Sequence, residues 1–374
     1  MKNNELYEHL VQAYMDARRN ERNNKSQLEF EINLSENLRK LANELIQRTW
    51  KPGPLKCFLI TKPLMREIFA PQFRDEVVSH LLFNFIEPVF DKKFIYDSYS
   101  CRKGKGVLFG INRFDHFIKS VSNNYTEEAW SLSIDISGYF MSINRPILKQ
   151  IVLKGLENEP EFDFLKYLIE TILDRDPLDD CIILGNRSEW SNLPPNKSLF
   201  NAPKDTGLTI GDVISQMFSN IYLDKLDQFC KRVLKCKYYC RYVDDLRILS
   251  KDKVWLESII PQIRDFLKNE LKLTVHPHKT KIENVKNVSL FLGASIKKGR
   301  IHTSKRTVNN FKMFIQTLKN CKKAGHNELS KINSYLGYFS HFREFKTIDK
   351  IFKSSPWVFE LFTFTQNYKK AKLK

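Results

Sequence analysis

An adjacent pair of aspartates between two apolar and aromatic stretches most constrains the fold of this chain. In residues 238–250, Asp244 and Asp245 follow aromatic and β-branched residues and precede leucine and isoleucine. Such flanks are typical of β-strands, so the pattern predicts a strand–turn–strand hairpin with the pair at its tip. Aspartate is also common in ordinary turns, and an isolated pair would favour that interpretation. The aromatic strand before the pair favours a metal site here.

Two adjacent carboxylates repel each other, so crowding them is costly unless a cation compensates their charge. Hard divalent cations with oxygen ligands do this well. Phosphoryl transfer between two metal ions needs a further carboxylate from elsewhere in the chain. The candidate is Asp135, because residues 130–136 again alternate like a strand and an aromatic residue, Phe140, follows five positions later.

These two segments together resemble a reverse transcriptase. Residues 242–245 are similar to the palm hairpin of that family, and Asp135 with Phe140 is similar to its first palm motif. The resemblance implies an α+β right-hand polymerase and an RNA-directed DNA polymerase activity. Its expected parts are an N-terminal helical extension (1–54), fingers (55–130), a palm (131–295) with a polar insert at about 174–205, and a basic helical thumb (296–374).

The resemblance also implies roles for the palm residues. Asp135 and Asp244 would ligate two Mg²⁺ ions, with Mn²⁺ as a substitute, and the carbonyl of Ile136 is a further candidate ligand. Asp245 would support the metal site. Phe140 would stack under the sugar and exclude a 2′-hydroxyl. Lys279, in the fourth palm motif, would protonate the leaving pyrophosphate, although a solvent-exposed lysine is an open alternative.

Further motifs are assigned by the same resemblance. Arg66 would grip the incoming triphosphate, and Arg102, within residues 97–106, would support the template and nucleotide pocket. A surface arginine is the alternative for Arg66. The turn Phe291-Leu292-Gly293 is similar to the primer grip, where glycine lets the primer backbone come close.

The second palm motif points to a subgroup. This chain has Ile210-Gly211 and Ser215-Gln216 where most reverse transcriptases have Gln-Gly and Ser-Pro. The combination, with Ile210, Gly211 and Gln216 lining the nucleotide pocket, is similar to reverse transcriptases of diversity-generating retroelements. That resemblance implies a nearby template RNA, adenine-directed copying errors and a small basic accessory protein. An isoleucine that only packs against the following helix is the alternative.

The charge of the chain indicates a polyanionic partner. The 374 residues carry a net charge of +18, and residues 300–374 hold sixteen Lys and Arg against four Asp and Glu. A basic region with interleaved aromatic residues favours a nucleic-acid surface. The expected ligands are therefore template RNA, an RNA/DNA duplex and deoxynucleoside triphosphates.

The seven cysteines, an odd number, and the lack of a long apolar run predict a cytoplasmic protein without a membrane partner, encoded by a bacterium, archaeon or phage. Cys230, Cys236 and Cys240 lack zinc spacing and are expected to be reduced thiols. Two other interpretations remain open. The first is a retron or antiphage-defence reverse transcriptase. The second is a non-catalytic RNA-binding protein on a polymerase scaffold, which the intact acidic positions disfavour.

Overall fold

Helices and antiparallel sheets alternate along the chain, and the computed structural model describes residues 3–19, 24–61, 64–342 and 344–374. Contacts divide it into two compact units. The first unit comprises residues 1–106, 132–248 and 254–281, and the second comprises 107–131, 249–253 and 282–374. The mixed architecture confirms the predicted α+β class. The expected fingers, palm and thumb boundaries stay predictions.

The helices and strands follow one another in a mixed order. The helices are α1 (Asn3–Arg18), α2 (Lys25–Ile32), α3 (Leu34–Ile46), α4 (Phe73–Asp91), α5 (Val107–Val121), α6 (Tyr139–Ser142), α7 (Arg145–Leu156), α8 (Phe162–Leu173), α9 (Val213–Gln228), α10 (Lys253–Leu271), α11 (Lys305–Thr317), α12 (His326–Ser340), α13 (Phe345–Lys353) and α14 (Val358–Leu361). The strands are β1 (Lys56–Ile60), β2 (Arg66–Ala70), β3 (Trp130–Asp135), β4 (Ile182–Ile183), β5 (Tyr238–Tyr242), β6 (Asp245–Ser250), β7 (Lys281–Asn284), β8 (Ser289–Phe291), β9 (Ala294–Lys297), β10 (Arg300–Thr303), β11 (Phe362–Phe364) and β12 (Ala371–Leu373).

The N-terminal region is helical, as its periodicity predicts. Leucines recur at three- and four-residue spacing in α3, and Leu38, Leu41 and Leu45 are all buried there. Helix α1 packs against α3 and α4. The Asn24 side chain caps α2 by accepting a hydrogen bond from the amide of Ser26.

The hairpin that carries the aspartate pair belongs to a four-stranded sheet of order β5-β6-β3-β7. Strand β5 ends at Tyr242 and β6 begins at Asp245, so Asp244 lies in the turn, as predicted. The same sheet contains β3, which ends at Asp135. Strand β3 lies in the middle of the sheet, next to β6. Asp135 at the end of β3 and Asp245 at the start of β6 therefore lie at the same end of the sheet.

A second sheet in the first unit has the order β2-β1-β4. Strands β1 and β2 pair antiparallel, with Ile60 opposite Arg66. Strand β4 adds two residues of the polar insert in parallel to β1. The polar insert is thus joined to this sheet rather than being free loop throughout.

The second unit contains the antiparallel sheet β10-β9-β8 and a helical cluster. Buried aromatic and aliphatic residues of α11, α12 and α13 form its core, including Phe311, Phe339 and Phe352. The predicted helical pattern up to residue 373 is wrong at the end, because β11 and β12 pair as a hairpin there. The β-prone segment Phe362–Phe364 and the positive φ of Asn367 explain this difference.

Candidate active site

The structure brings Asp135, Asp244, Asp245 and Lys279 together. Asp135 ends β3, and its backbone carbonyl accepts a hydrogen bond of 2.8 Å from the amide of His276. This bond fastens the end of β3 to the loop that follows α10. Lys279 lies on the same loop, and its Nζ is 2.8 Å from Oδ2 of Asp135. Residues separated by 144 positions thus form one charged cluster.

Burial and mutual repulsion disfavour the charged forms of the aspartates in this cluster. Burial raises the pKa of the Asp244 carboxyl to about 6, and the charges of Asp135 and Asp245 act in the same direction, while Lys279 opposes them. Burial also raises the pKa of Asp245, although Arg247 beside it lowers that pKa. The Arg247 guanidinium is 2.6 Å from Oδ1 of Asp245. The cluster therefore carries more negative charge than its two cations neutralise.

These residues suit a hard divalent cation, which favours carboxylate oxygens. A cation with two charges would lower the raised carboxyl pKa values by direct attraction. Within the described ranges, however, no three His, Cys, Asp or Glu side chains are arranged as a complete metal cage. Lys279 provides a positive charge beside Asp135. Ile136, the further candidate ligand, forms an isolated β-bridge with Val275.

A buried ion pair holds the hairpin in place, and sequence analysis missed it. Arg241 of β5 and Asp227 of α9 are 1% and 0% exposed, with Nη2 of Arg241 2.7 Å from Oδ2 of Asp227. Tyr239 donates to the same carboxylate at 2.5 Å. Nη1 of Arg241 also donates to the carbonyl of Val243, next to Asp244, at 3.0 Å. An arginine inside an apolar strand is the sequence signal that could have revealed this pair, because such a charge needs a partner.

The turn after Asp135 carries Phe140, which is half-buried. The ring of Phe140 lies 5.5 Å from that of Tyr139, edge to face. Tyr139 is anchored, because its hydroxyl donates to the carbonyl of Ser219 on α9 at 2.6 Å. The carbonyl of Phe140 accepts from the amide of Leu208 at 2.8 Å. The backbone of Phe140 is therefore fixed on both sides.

Ile210 and Gly211 lie against strand β2. The carbonyl of Ile210 accepts from the amide of Phe69 at 3.0 Å, and its side chain packs on a cluster that includes Phe69 and Leu55. Gly211 has φ +132°, and a Cβ there would be 3.1 Å from Cγ2 of Ile68. Ile210 thus packs on the β1–β2 sheet and not on the helix that follows, which was the alternative interpretation.

Gln216 is exposed on the first turn of α9, and Oε1 of Gln216 accepts from the thiol of Cys101 at 2.5 Å. The loop of residues 97–106 therefore contacts this part of the second palm motif. Asn220 strengthens the contact, because its side chain donates to the carbonyl of Ser100 at 2.8 Å.

The two fingers arginines have different surroundings. Arg66 is exposed at the start of β2, where a phosphate could reach it. Pro63, which precedes it in the motif, lies outside the described residues. Arg102 is 6% exposed in its side chain, and Nε of Arg102 is 2.5 Å from Oδ1 of Asp91. It also donates to the carbonyls of Ile95 and Ser98, so Arg102 supports its own loop from within.

The predicted primer-grip turn connects β8 and β9 in the second unit. Phe291 is 1% exposed, and its ring lies 4.8 Å from that of Phe114. Leu292 and Gly293 have φ values of +50° and +82°. A Cβ on Gly293 would be 3.1 Å from the hydroxyl of Tyr338, so a side chain there would be strained and crowded. The primer-grip role of this turn stays a prediction.

Comparison with known protein families identifies the family of this chain. A family model described as "Reverse transcriptase (RNA-dependent DNA polymerase)" matches residues 60–338, which is more than half of the chain. The chain belongs to the reverse transcriptase family. The enzyme is thus an RNA-directed DNA polymerase, and its family generally uses divalent metal ions.

Two curated proteins are similar to this reverse transcriptase. Protein YkfC of Escherichia coli (strain K12) is 26% identical over 294 residues, covering 70% of this chain and 71% of that protein. Group II intron-encoded protein LtrA of Lactococcus lactis subsp. cremoris is 24% identical over 272 residues, covering 72% of this chain but 38% of LtrA.

Among solved structures, telomerase from Candida albicans in complex with a fragment of telomeric RNA is similar at a TM-score of 0.49 and 13% identity. That match covers 88% of this reverse transcriptase and 60% of the telomerase chain. Within the described residues, no helix of the reverse transcriptase has the length and apolar character needed to cross a bilayer.

Proposed function

We propose that this reverse transcriptase copies a template RNA into complementary DNA with frequent errors at template adenines, as an enzyme of a diversity-generating retroelement. The observation that carries the subgroup is Ile210 beside Gly211, packed on β2 at the entrance to α9. The proposed ligands are template RNA, the RNA/DNA duplex and deoxynucleoside triphosphates. A small basic accessory protein is the proposed partner.

Asp135, Asp244 and the carbonyl of Ile136 are the proposed ligands of two Mg²⁺ ions, with Asp245 in support. When bound, the ions would acidify the primer hydroxyl and neutralise the triphosphate. Lys279 is placed beside Asp135, where its ammonium can deliver a proton to the leaving pyrophosphate. The ion pair with Arg247 holds the Asp245 side chain in position.

The remaining pocket residues bind and orient the nucleotide. Arg66 is proposed to contact the triphosphate because its side chain is exposed at the start of β2. Phe140 excludes a 2′-hydroxyl by shape. Gln216 and Arg102 are proposed to act through the loop of residues 97–106. Gln216 accepts a hydrogen bond from Cys101 of this loop, and Arg102, which belongs to the loop, donates to the carbonyl of Ser98.

Replacing Ile210 with glutamine is expected to lower misincorporation opposite template adenine severalfold while total synthesis persists. Glutamine can hydrogen-bond near the incoming nucleotide and fix its pose, whereas isoleucine can neither donate nor accept. A site with an oriented polar group penalises a misplaced substrate more than a correct one. The measurement is sequencing of complementary DNA made from a defined RNA template.

The matched control for that experiment is Ile210→Leu, which keeps the packing on β2 without adding a polar group. Error spectra of Ile210→Leu and wild type should agree. Equal error rates for Ile210→Gln and wild type would remove Ile210 from the fidelity mechanism. The retroelement assignment would then lose its main support, while the polymerase assignment would stand.

The basic second unit is proposed to grip the template–primer duplex, with Phe291, Leu292 and Gly293 as the primer grip. Lys322 and Lys323 are both exposed between α11 and α12. Alanine at both positions should weaken duplex binding. The slope of the logarithm of the binding constant against the logarithm of the salt concentration should become shallower by roughly one or less per lost contact. Binding measured from 50 to 300 mM salt checks this.

Lys154 and Lys268 are exposed lysines of the first unit and provide a matched double-alanine control. Their removal changes the net charge by the same amount. If the control and the Lys322/Lys323 variant alter the slope equally, the effect is one of net charge and the two thumb lysines do not contact phosphate.

A second candidate function is that of a group II intron-type reverse transcriptase, which the similarity to LtrA favours. The two functions differ in their templates. A pair of near-identical short repeats in the neighbouring DNA, differing mainly at adenines, would favour the retroelement. Flanking intron RNA domains would favour the intron.

A further inference from the structure

Glu67 connects strand β2 to the polar insert. It is fully buried, although its neighbour Arg66 is exposed. Its Oε1 accepts from Nε1 of Trp190 and from Oγ of Ser198, and its Oε2 accepts from the amide of Leu199, each at 2.7 Å. A buried carboxylate is costly unless such bonds satisfy it. Glu67 therefore fixes the middle of the polar insert to the strand that begins with Arg66.

The polar insert in turn touches the turn between Asp135 and Phe140. The side chain of Asn196 donates to Oγ of Ser137 at 3.2 Å. A Cβ on Gly138 would lie 2.4 Å from the carbonyl oxygen of Asn196, so only glycine permits this approach. The polar insert and this turn are in direct backbone contact.

Leu199 of the polar insert packs in the same cluster as Met141, the residue after Phe140. Its Cδ2 would be 2.3 Å from a Cβ on Gly207, and its side chain shares a buried cluster with Met141 and Phe69. Met141 follows Phe140 directly, and the next residue after Gly207 bonds to the Phe140 carbonyl. The position of Phe140 thus depends on where the polar insert lies.

We infer that the polar insert is a specificity element of this polymerase. Glu67 is a positioning residue that anchors it, and Asn196 sets the turn that carries Phe140. Through this chain of contacts the insert controls selection between deoxyribonucleotides and ribonucleotides. The inference rests on the proposed role of Phe140 as the sugar gate.

The test compares Asn196→Ala with Asn201→Ala. Both asparagines are exposed in the polar insert, but the side chain of Asn201 donates to a carbonyl of the insert itself, that of Pro195, at 3.4 Å. The measurement is kcat and KM for dGTP and for GTP on one template–primer. Asn196→Ala should lower the preference for dGTP about threefold to tenfold, the range that one hydrogen bond allows. Asn201→Ala should leave that preference unchanged.

The anchor is tested with Ser198→Ala and Glu67→Gln. Ser198→Ala removes the hydroxyl that donates to Glu67. Glu67→Gln replaces one carboxylate oxygen, which accepts hydrogen bonds, with an amide NH2 group that faces the donors of the polar insert. Both should raise the KM for dGTP and reduce sugar preference in the same direction as Asn196→Ala. A loss of folded protein lowers the apparent kcat for both nucleotides alike. It leaves both KM values, and the ratio of kcat/KM for dGTP to that for GTP, unchanged. The ratio therefore separates positioning from instability, and Asn196→Ala remains decisive if Glu67→Gln does not fold.

Phe140→Ala is measured in parallel, because a removed ring should cost about 10–200-fold in sugar discrimination. If Phe140→Ala changes the preference and Asn196→Ala does not, the insert inference is overturned and the gate stands. If Phe140→Ala has no effect, the gate proposal is wrong. The insert inference, which rests on that gate, is then overturned with it.

Discussion

Asp244→Asn is expected to reduce primer extension by about a thousandfold or more, while binding of the template–primer stays close to that of wild type. The substitution keeps the shape of the side chain but removes the charge that would hold a divalent cation. Several kcal/mol of transition-state stabilisation are lost in that case, which corresponds to about a thousandfold in rate. Primer extension and filter binding on one preparation measure both quantities.

The matched control is Asp252→Asn. Asp252 lies just after the last residue of β6, whereas Asp244 lies just before its first residue. It should extend primers like wild type. Extension by Asp244→Asn at more than a tenth of the wild-type rate would contradict the assignment of Asp244 as a metal ligand. A parallel loss of duplex binding would indicate a structural role instead.

Asp227→Asn is expected to destabilise the first unit by about 3–5 kcal/mol, because it leaves the buried charge of Arg241 without a partner. Urea denaturation followed by circular dichroism measures the change. The double variant Asp227→Leu/Arg241→Met removes both charges and should recover most of that free energy of unfolding. It should not recover full activity, because the bond from Arg241 to the carbonyl of Val243 is also lost.

Asp224 provides the control for Asp227, since it lies one turn earlier on α9. Burial, with help from the charge of Asp227, raises the pKa of Asp224 to about 6 from its ordinary 3.8. The folded state thus holds this proton more tightly than the unfolded chain, so wild type loses stability as the pH rises from about 4 through 6. Asp224→Asn should therefore gain about 1–2 kcal/mol relative to wild type at pH 8 and almost nothing at pH 4. A loss of stability at pH 8 would contradict this interpretation.

Local patterns were enough to predict the elements that carry the acidic residues. Alternation identified β3, because a half-buried strand repeats every two residues, and the aromatic and aliphatic flanks of the aspartate pair identified β5 and β6. Helical spacing of leucines likewise identified α3. The order of the motifs then predicted that Asp135 and Asp244 share a site, and the structure places both in one cluster with Lys279.

Contacts between distant residues could not be predicted in this way. Glu67 meets Leu199 across 132 positions, and neither residue carries a local signal of the other. Arg102 matched a nucleotide-pocket motif, yet its bonds to Asp91 and to nearby carbonyls depend on how the loop folds back. The C-terminal hairpin was missed because its strands have only three residues each, too few for a clear period.

The tip of the β5–β6 hairpin stores backbone strain. Val243 has φ +54°, a left-handed conformation that costs a β-branched residue roughly 1–2 kcal/mol. The strain persists because Arg241 holds the Val243 carbonyl and is itself locked to Asp227. The conformational cost of orienting Asp244 is therefore met when the chain folds. If Asp244 holds a metal ion as proposed, substrate binding need not supply that free energy.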